Sequence, residues 1–308
     1  MSANRSRSQQ PAAVAAPLAE PALVCLADVA PQPIRWLWPG RIALGKPTLI
    51  VGDPGLGKSF LTLWLAAQIT TGREWPDDPL SVAPLGDAIL LNAEDDAADT
   101  IRPRLDAAAA DPSRVIALQG VRRIDPKGGP PALSLFTLHR DIPMLKAAIK
   151  KRPETKLVVI DPVSAFLGDV DSHNNSEVRA LLAPLAQLAA EEGVALVIVS
   201  HLNKSGMGKA VYRTTGSLAF PAAARAVWAV TRDQEDDKRR LFLPIKNNIA
   251  EDQGGLAFRI IDGALEWEPD PVAIRADEAM AGTAERDAEQ RRGVVGDAVD
   301  FLIAMLSE

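Results

Sequence analysis

One segment constrains the chain more than any other. Residues 52–59 spell GDPGLGKS, and they lie between the apolar run PTLIV (Pro47 to Val51) and the helical pattern that starts at Lys58. This segment matches G-x-x-x-x-G-K-[ST], the pattern of a loop that wraps phosphate groups. Since the match falls between a predicted strand and a predicted helix, the sequence predicts a phosphate-binding loop in a protein with a parallel sheet.

The residue types of this segment suit phosphate. Glycine has no Cβ, so the backbone N–H groups of the loop can approach oxyanions closely, and the helix that follows adds partial positive charge. Lys58 is predicted to neutralise the β- and γ-phosphates, and the Ser59 hydroxyl to ligate Mg²⁺. The predicted nucleotide-binding set is Gly52, Asp53, Pro54, Gly55, Leu56, Gly57, Lys58, Ser59 and Phe60.

Composition excludes several classes of protein. The 308 residues are 47% hydrophobic with a formal charge of −6, which does not fit a disordered chain or a uniformly basic nucleic-acid binder. No apolar run approaches the ~18 residues of a membrane span, so we expect no membrane partner. The single cysteine, Cys25, cannot form an internal disulfide, which favours a reducing cytoplasm.

Apolar runs alternate with helical patterns from Ile34 onward, and Gly72 and Gly193 stand where two of the predicted helices should end. Continuous apolar runs indicate strands covered on both faces, so the predicted fold class is α/β, with a mainly parallel sheet flanked by helices. Four later runs, from AVWAVT (226–231) to ALEW (264–267), predict an antiparallel extension of this sheet. We predict three parts: a disordered leader (1–33), an α/β domain (34–270), and a charged linker with a C-terminal amphipathic helix (271–308). The last part is a possible start of a truncated domain.

Two acidic positions follow predicted strands. Asp161 ends the run KLVVI, and an acid there can hold Mg²⁺ beside the phosphate loop. Glu94 follows the run AILLNA and is our predicted catalytic base, with Asp95 as the alternative. The segment HLNKSG lacks the carboxylate that would bind guanine, because position 206 is glycine, which disfavours a GTP-dependent switch.

The order of these elements is similar to that of RecA-like ATPases. The phrases GDPGLGKSF, AEDD, IDPVSAFLG and HLNKSG resemble the AAA_25 group and hexameric helicases of the plasmid RepA and DnaB types. The resemblance implies ATP and Mg²⁺ as cofactors, Lys58, Glu94 and His201 as catalytic residues, and Ser59 and Asp161 at the metal. It also implies a homo-oligomer, expected to be a hexamer, that acts on single-stranded DNA as a helicase in plasmid- or phage-like replication.

The resemblance extends to a DNA-facing loop and to a residue that acts in a neighbouring subunit. The loop has DNA-binding candidates Lys204, Lys209 and Arg213 and no acidic residue between 201 and 213. DnaB types carry Lys-x-Arg on a late strand, where this chain has Lys246-Asn247-Asn248. Lys246 is thus retained without the arginine, and the trans-acting arginine is left open among Arg213, Arg239 and Arg240. Two alternative functions remain open: a RecA-like regulatory or recombination ATPase that assembles on ATP without unwinding, and a non-motor binding module in which the nucleotide serves only as a structural switch.

Overall fold

The computed structural model describes residues 22–124, 129–172, 174–202 and 219–281. Contacts divide the chain into two units, Met1–Pro33 and Ile34–Glu308. The described part of the first unit holds a single 3₁₀ turn, Leu26–Asp28. The predicted C-terminal helix lies outside the described residues, and the predicted domain boundaries stay predictions.

The second unit alternates strands and helices along the chain. Its helices are α1 Lys58–Thr71, α2 Arg102–Ala107, α3 Leu138–Lys151, α4 Asn175–Glu192 and α5 Ala219–Ala223. A π-helical turn spans Ala97–Ile101, and 3₁₀ turns span Pro112–Arg114 and Val163–Phe166. Its strands are β1 Trp36–Trp38, β2 Ile42–Ala43, β3 Pro47–Gly52, β4 Glu74–Trp75, β5 Asp78–Val82, β6 Asp87–Asn92, β7 Val115–Ala117, β8 Val121–Arg123, β9 Ala132–Ser134, β10 Thr155–Asp161, β11 Ala195–His201, β12 Ala226–Arg232, β13 Arg240–Asn247, β14 Leu256–Ile261 and β15 Ala264–Trp267.

Nine strands form one mixed sheet in the order β15-β14-β13-β12-β3-β11-β10-β6-β7. The six strands from β12 to β7 are parallel, and β13, β14 and β15 are antiparallel. This confirms the predicted α/β class with its mainly parallel sheet. The phosphate-loop strand β3 lies inside the sheet, between β11 and β12.

One strand departs from the predicted antiparallel extension. The run AVWAVT lies in β12, which pairs in parallel with β3. The backbone N–H of Arg225, which follows α5, donates to the carbonyl oxygen of Pro47, so β12 begins at the amino end of β3 and runs in the same direction. The antiparallel extension therefore begins one strand later, at β13.

Apolar side chains cover both faces of the sheet. One buried cluster joins the sheet to α3, α4 and α5, and the other joins it to α1 and α2. The second cluster contains stacked aromatic rings. The ring centroids of Trp38 and Trp75 are 4.9 Å apart, and those of Trp228 and Phe242 are 4.7 Å apart. The helices end where glycine was predicted to stop them, since Gly72 and Gly193 both adopt a left-handed backbone. No helix in the described ranges is long and apolar enough to cross a membrane.

The α4 face of the core provides a test of this packing. Leu185 on α4 is fully buried, whereas Leu80 is 97% exposed. We expect Leu185→Ala to lower the free energy of unfolding by about 2 to 5 kcal/mol, because it removes buried methyl groups and leaves a cavity. Leu80→Ala is the matched control and should change it by less than about 0.5 kcal/mol. Urea denaturation measures both; equal effects would contradict the described core.

Candidate functional site

The predicted site residues meet at the carboxyl ends of the parallel strands. In the register of the sheet, His201 of β11 stands beside Gly52 of β3, and Asp161 of β10 stands beside Asn92 of β6. Glu94 follows β6 two residues later. The phosphate loop, both acids and the histidine, four features far apart in sequence, therefore lie at one end of the sheet.

Glycine is required at two points of the loop. A Cβ on Gly52 would collide with the carbonyl oxygen of Val230 on β12. Gly57 has φ of +87°, and a Cβ there would lie 2.7 Å from Cδ1 of Ile260 on β14. The loop is thus packed against β12 and β14, and at Gly57 it adopts a backbone that other residues rarely take. Its N–H groups precede the first turn of α1, as an anion site requires.

Lys58 is held inside the site by three acceptors. Its Nζ donates to the carbonyl oxygens of Gly52 and Asp53, both at 2.8 Å, and lies 3.2 Å from Nδ1 of His201. Burial lowers the pKa of Lys58 to about 8, and the charges of Asp161, Asp53 and Glu94 oppose that change. The lysine therefore remains largely protonated at neutral pH, with its three hydrogens directed at three acceptors.

His201 joins Lys58 to Glu94. Because Nδ1 of His201 accepts from the ammonium, its hydrogen belongs on Nε2, which lies 3.7 Å from Oε1 of Glu94. Burial lowers the pKa of His201, as does the charge of Lys58, while Glu94 raises it. A neutral imidazole is consistent with its role as acceptor. The three predicted catalytic residues therefore form one continuous line of polar contacts.

Asp161 and Ser59 form a pair of oxygen donors under the loop. The Asp161 carboxylate is 4% exposed, accepts from Oγ1 of Thr62 at 3.4 Å and interacts with the Ser59 hydroxyl. Burial raises the pKa of Asp161 to about 6, against the hydrogen bond from Ser59 and the charge of Lys58. No group of three or more His, Cys, Asp or Glu residues in the described part of the chain could hold a metal by itself. Two hard oxygen donors beside a phosphate loop do fit Mg²⁺, which takes its other ligands from phosphate and water.

The acidic segment after β6 is held by residues that the sequence analysis did not single out. Oδ1 of Asn92 accepts from the backbone N–H groups of Glu94 (3.0 Å) and Asp95 (2.8 Å). Asp95 forms an ion pair with Arg104 of α2 at 3.0 Å, and the Arg104 guanidinium lies 4.4 Å from the ring centroid of Phe60. The only local signal was the Asn before the acidic run, a residue type that caps turns. Arg104 gave no such signal, since its contacts are made through the fold.

A cleft of about 220 Å³ opens between these groups. Ten of its lining residues were predicted at the site, three of them as catalytic residues and Asp95 as the alternative base. Arg104 and Ile260 complete the lining, so that the full set is Pro54, Gly55, Gly57, Lys58, Ser59, Phe60, Glu94, Asp95, Arg104, Asp161, His201 and Ile260. Three predicted loop residues do not line it: Gly52 and Asp53 hold Lys58 through their carbonyls, and Leu56 packs into the core.

Of the other predicted residues, Lys204, Lys209 and Arg213 fall outside the described residues. The described ones do not line this cleft. Arg239 forms ion pairs with Asp233 and with Glu268. Arg240 donates to the carbonyl oxygen of Asp237, and its Nε is buried with no hydrogen-bond partner among the described residues.

Lys246 lies near the other end of the sheet. Its Nζ donates to the carbonyl oxygens of Pro221 (2.8 Å) and Ala224 (2.9 Å) at the end of α5. In the sheet register it stands beside Val227, near the start of β12, whereas Arg240 stands beside Arg232 at the end of that strand. Of the three trans-acting candidates that the structure describes, only Lys246 is thus far from the chain's own phosphate loop.

Fold and site together define a RecA-like P-loop ATPase. More specifically, the chain belongs to the AAA_25 family of AAA domains, whose pattern it matches over residues 15–207. It is also similar to the DNA repair protein RadA of Mycobacterium tuberculosis, strains CDC 1551 and H37Rv, with 27% identity over 276 residues. That similarity covers 86% of this chain and 48% of RadA, so the chain spans about half the length of these relatives.

The raised pKa of Asp161 predicts how stability depends on pH. Unfolded aspartate ionises near 3.8 and the buried Asp161 near 6, so the folded state binds more protons between these values and loses stability as pH rises. Asp161→Asn removes this loss. We expect the variant to gain about 3 kcal/mol over the wild type between about pH 3 and pH 7, since one pKa unit equals about 1.4 kcal/mol. Urea titrations across this range measure the difference.

Asp141→Asn is the matched control of opposite sign. Asp141 is also buried, and although burial raises its pKa, hydrogen bonds from Arg123 and Thr137 bring it below the usual value. Its stabilising contribution is therefore present above the unfolded pKa and is lost as pH falls. Asp141→Asn should lose stability relative to the wild type as pH rises from about 3 to 7. The same trend in both variants would contradict the described environment of Asp161.

Proposed function

We propose that the protein is a Mg²⁺-dependent ATPase that works as a ring, expected to be hexameric, and moves along or unwinds single-stranded DNA. The observation that carries this proposal is the line from Lys58 through His201 to Glu94, with Asp161 at the same end of the sheet. This arrangement places a phosphate-binding cation (Lys58), a neighbouring polar residue (His201) and a carboxylate (Glu94) in one cleft. These are the parts that phosphoryl transfer to water requires.

Each residue has a defined task in this proposal. The N–H groups of the loop and the Lys58 ammonium bind the β- and γ-phosphates, and Ser59 and Asp161 hold the cation. Bound Mg²⁺ supplies positive charge that offsets the charge on the phosphate oxygens. Glu94, 59% exposed at its side chain, faces the cleft and orients or deprotonates the attacking water. Asp95 is the less suitable base because Arg104 already binds its carboxylate.

His201 is suited to report the state of the phosphates. Its imidazole contacts the lysine that binds them, and its backbone leads into the segment that carries Lys204, Lys209 and Arg213. When a nucleotide attracts the Lys58 ammonium, the contact between Nζ and Nδ1 must change. We propose that this change alters how the following loop holds the phosphate backbone of single-stranded DNA.

The setting follows from the resemblance to plasmid RepA-type and DnaB-type helicases. On that basis we propose a role in plasmid- or phage-like replication in the cytoplasm. The match to the AAA_25 family supports the ATPase part of the proposal.

The similarity to RadA favours a second function. RadA is by name a DNA repair protein, and its similarity covers 86% of this chain. The alternative is therefore a recombination- or repair-type ATPase that assembles on DNA with ATP and does not unwind it. Both functions use the same cleft, so they differ in what the ATPase is coupled to.

Two substitutions test the assigned chemistry. We expect Lys58→Ala to abolish both ATP binding and turnover, because it removes the buried cation. Glu94→Gln should bind a fluorescent ATP analogue within about threefold of the wild type and lose at least ~100-fold in kcat. Asp95→Asn is the matched control and should lose less than ~10-fold in kcat. If the Glu94→Gln variant hydrolyses ATP at the wild-type rate, Glu94 does not orient or deprotonate the attacking water.

Strand displacement separates the two functions. Strand displacement is measured on a forked DNA substrate with ATP and Mg²⁺, and ATP hydrolysis is measured with and without single-stranded DNA. A helicase unwinds the fork and hydrolyses ATP faster when single-stranded DNA is present. DNA-stimulated turnover without strand separation would support the recombination-type alternative. If DNA neither stimulates turnover nor binds, both DNA functions are wrong and only the ATPase remains.

A further inference from the structure

The acidic turn after β6 begins with two backbone amides that have no partner on a neighbouring strand. The last amide that pairs with the next strand is that of Ala93, which donates to the carbonyl oxygen of Asp161 on β10 at 3.4 Å. The N–H groups of Glu94 and Asp95 follow, and both donate to Oδ1 of Asn92, at 3.0 Å and 2.8 Å. Among the described residues, the Asn92 side chain is therefore the acceptor that holds the backbone of this turn.

The Glu94 carboxylate has no comparable anchor of its own. Its side chain is exposed, and its polar contact with Nε2 of His201 spans 3.7 Å. That distance is longer than a hydrogen bond, so the contact does not fix the carboxylate in one place. A carboxylate that orients or deprotonates a water must nevertheless lie within hydrogen-bond reach of it. The backbone of Glu94 must therefore provide the placement, and Asn92 acts on that backbone.

Asn92 is itself firmly placed by the sheet. It is the last residue of β6, which lies inside the sheet between β10 and β7. In the register of β6 and β10 it stands beside Asp161. Because both groups that face its side chain are N–H donors, the amide oxygen and not the amide nitrogen must point at them. Asn92 thus transmits the geometry of the sheet to the turn that follows.

Charge explains why an amide suits this position better than a carboxylate. An aspartate at position 92 would accept the same two hydrogen bonds, because Asn and Asp form the same type of turn. It would also stand beside Asp161 and just before Glu94 and Asp95, three acids that already line the cleft where phosphates would bind. A neutral acceptor holds the turn without adding to the repulsion among these carboxylates and the phosphates.

We infer that Asn92 is a positioning residue: by accepting from the amides of Glu94 and Asp95, it places the Glu94 carboxylate for the attacking water. The inference rests on the proposed ATPase function. Asn92 does not line the cleft, so it acts through Glu94 and not on the nucleotide. Arg104 is a second anchor of the turn, but it binds the side chain of Asp95, which can rotate without moving the backbone of Glu94.

Substitutions of Asn92 test this role. We expect Asn92→Ala to lose at least ~10-fold in kcat, because a displacement of about 1 Å at a reacting group can cost ~100-fold. It should bind a fluorescent ATP analogue within about threefold of the wild type, since the phosphate loop keeps its contacts. Asn92→Ser should be at least ~3-fold more active than Asn92→Ala, because a hydroxyl accepts in the same type of turn, although more weakly.

Asp96→Ala is the matched control. Oδ1 of Asp96 accepts from the N–H groups of Ala98 and Asp99, at 2.7 Å and 3.2 Å, so this variant also loses two hydrogen bonds from a side chain to the backbone. Those amides belong to the π-helical turn and not to the turn that carries the base. Asp96→Ala should keep kcat within about threefold. A loss of less than ~10-fold in Asn92→Ala, or an Asn92→Ser variant no more active than Asn92→Ala, would overturn the inference.

A double substitution distinguishes positioning of the base from a general effect on the fold. If Asn92 acts through Glu94, adding Asn92→Ala to Glu94→Gln should lower kcat by less than about threefold beyond Glu94→Gln alone. A further loss as large as that of Asn92→Ala in the wild type would show that Asn92 acts by another route, and the inference would be wrong.

A wild type without turnover would refute the proposed ATPase instead. Hydrogen exchange of the Glu94 amide, measured by NMR, then decides whether Asn92 holds the turn. The amide should exchange at least ~10-fold faster in Asn92→Ala than in the wild type, and at the wild-type rate in Asp96→Ala. Equal exchange in Asn92→Ala and the wild type would overturn the inference.

Discussion

The site depends on the hydrogen bonds of one buried ammonium group, that of Lys58. Lys58 is 5% exposed, so each hydrogen on Nζ needs a partner within the protein. Two partners are carbonyl oxygens of its own loop, and the third is a histidine from another strand. That third contact requires β11 to lie directly beside β3, so the order of the parallel strands is what satisfies the lysine. The phosphate loop, a local motif, thus relies on a long-range pairing.

Burial also opposes the charges that the site needs. It lowers the pKa of Lys58 to about 8 and raises that of Asp161 to about 6, each toward its neutral form. The protein without ligand therefore keeps a cation and an anion in a poorly hydrated place at some cost to its stability. Stacked tryptophans and two apolar clusters on the faces of the sheet offset this cost. A phosphate beside Lys58 and a cation beside Asp161 would stabilise these charged forms, and that stabilisation would add to the affinity for both ligands.

The sequence predicted those parts of the molecule that have a local signature. The apolar runs predicted the strands, and Gly72 and Gly193 the helix ends, because backbone preference decides both. It failed where contacts join distant segments. The direction of β12 depends on a crossover connection, and Arg104 reaches Phe60 only because α2 packs beside α1. The contact between His201 and Lys58 likewise follows from strand order, which the sequence does not state.

The same limit applies to the charge distribution. Arg239, Arg259 and Lys246 are similar cations along the chain, but the fold gives them different partners: the two arginines bind carboxylates, whereas the Lys246 ammonium donates to two backbone carbonyl oxygens near the amino end of the sheet. The sequence could not indicate the partners of Lys246, because those carbonyls lie 22 and 25 residues away along the chain and the pairing of β12 with β13 brings them close.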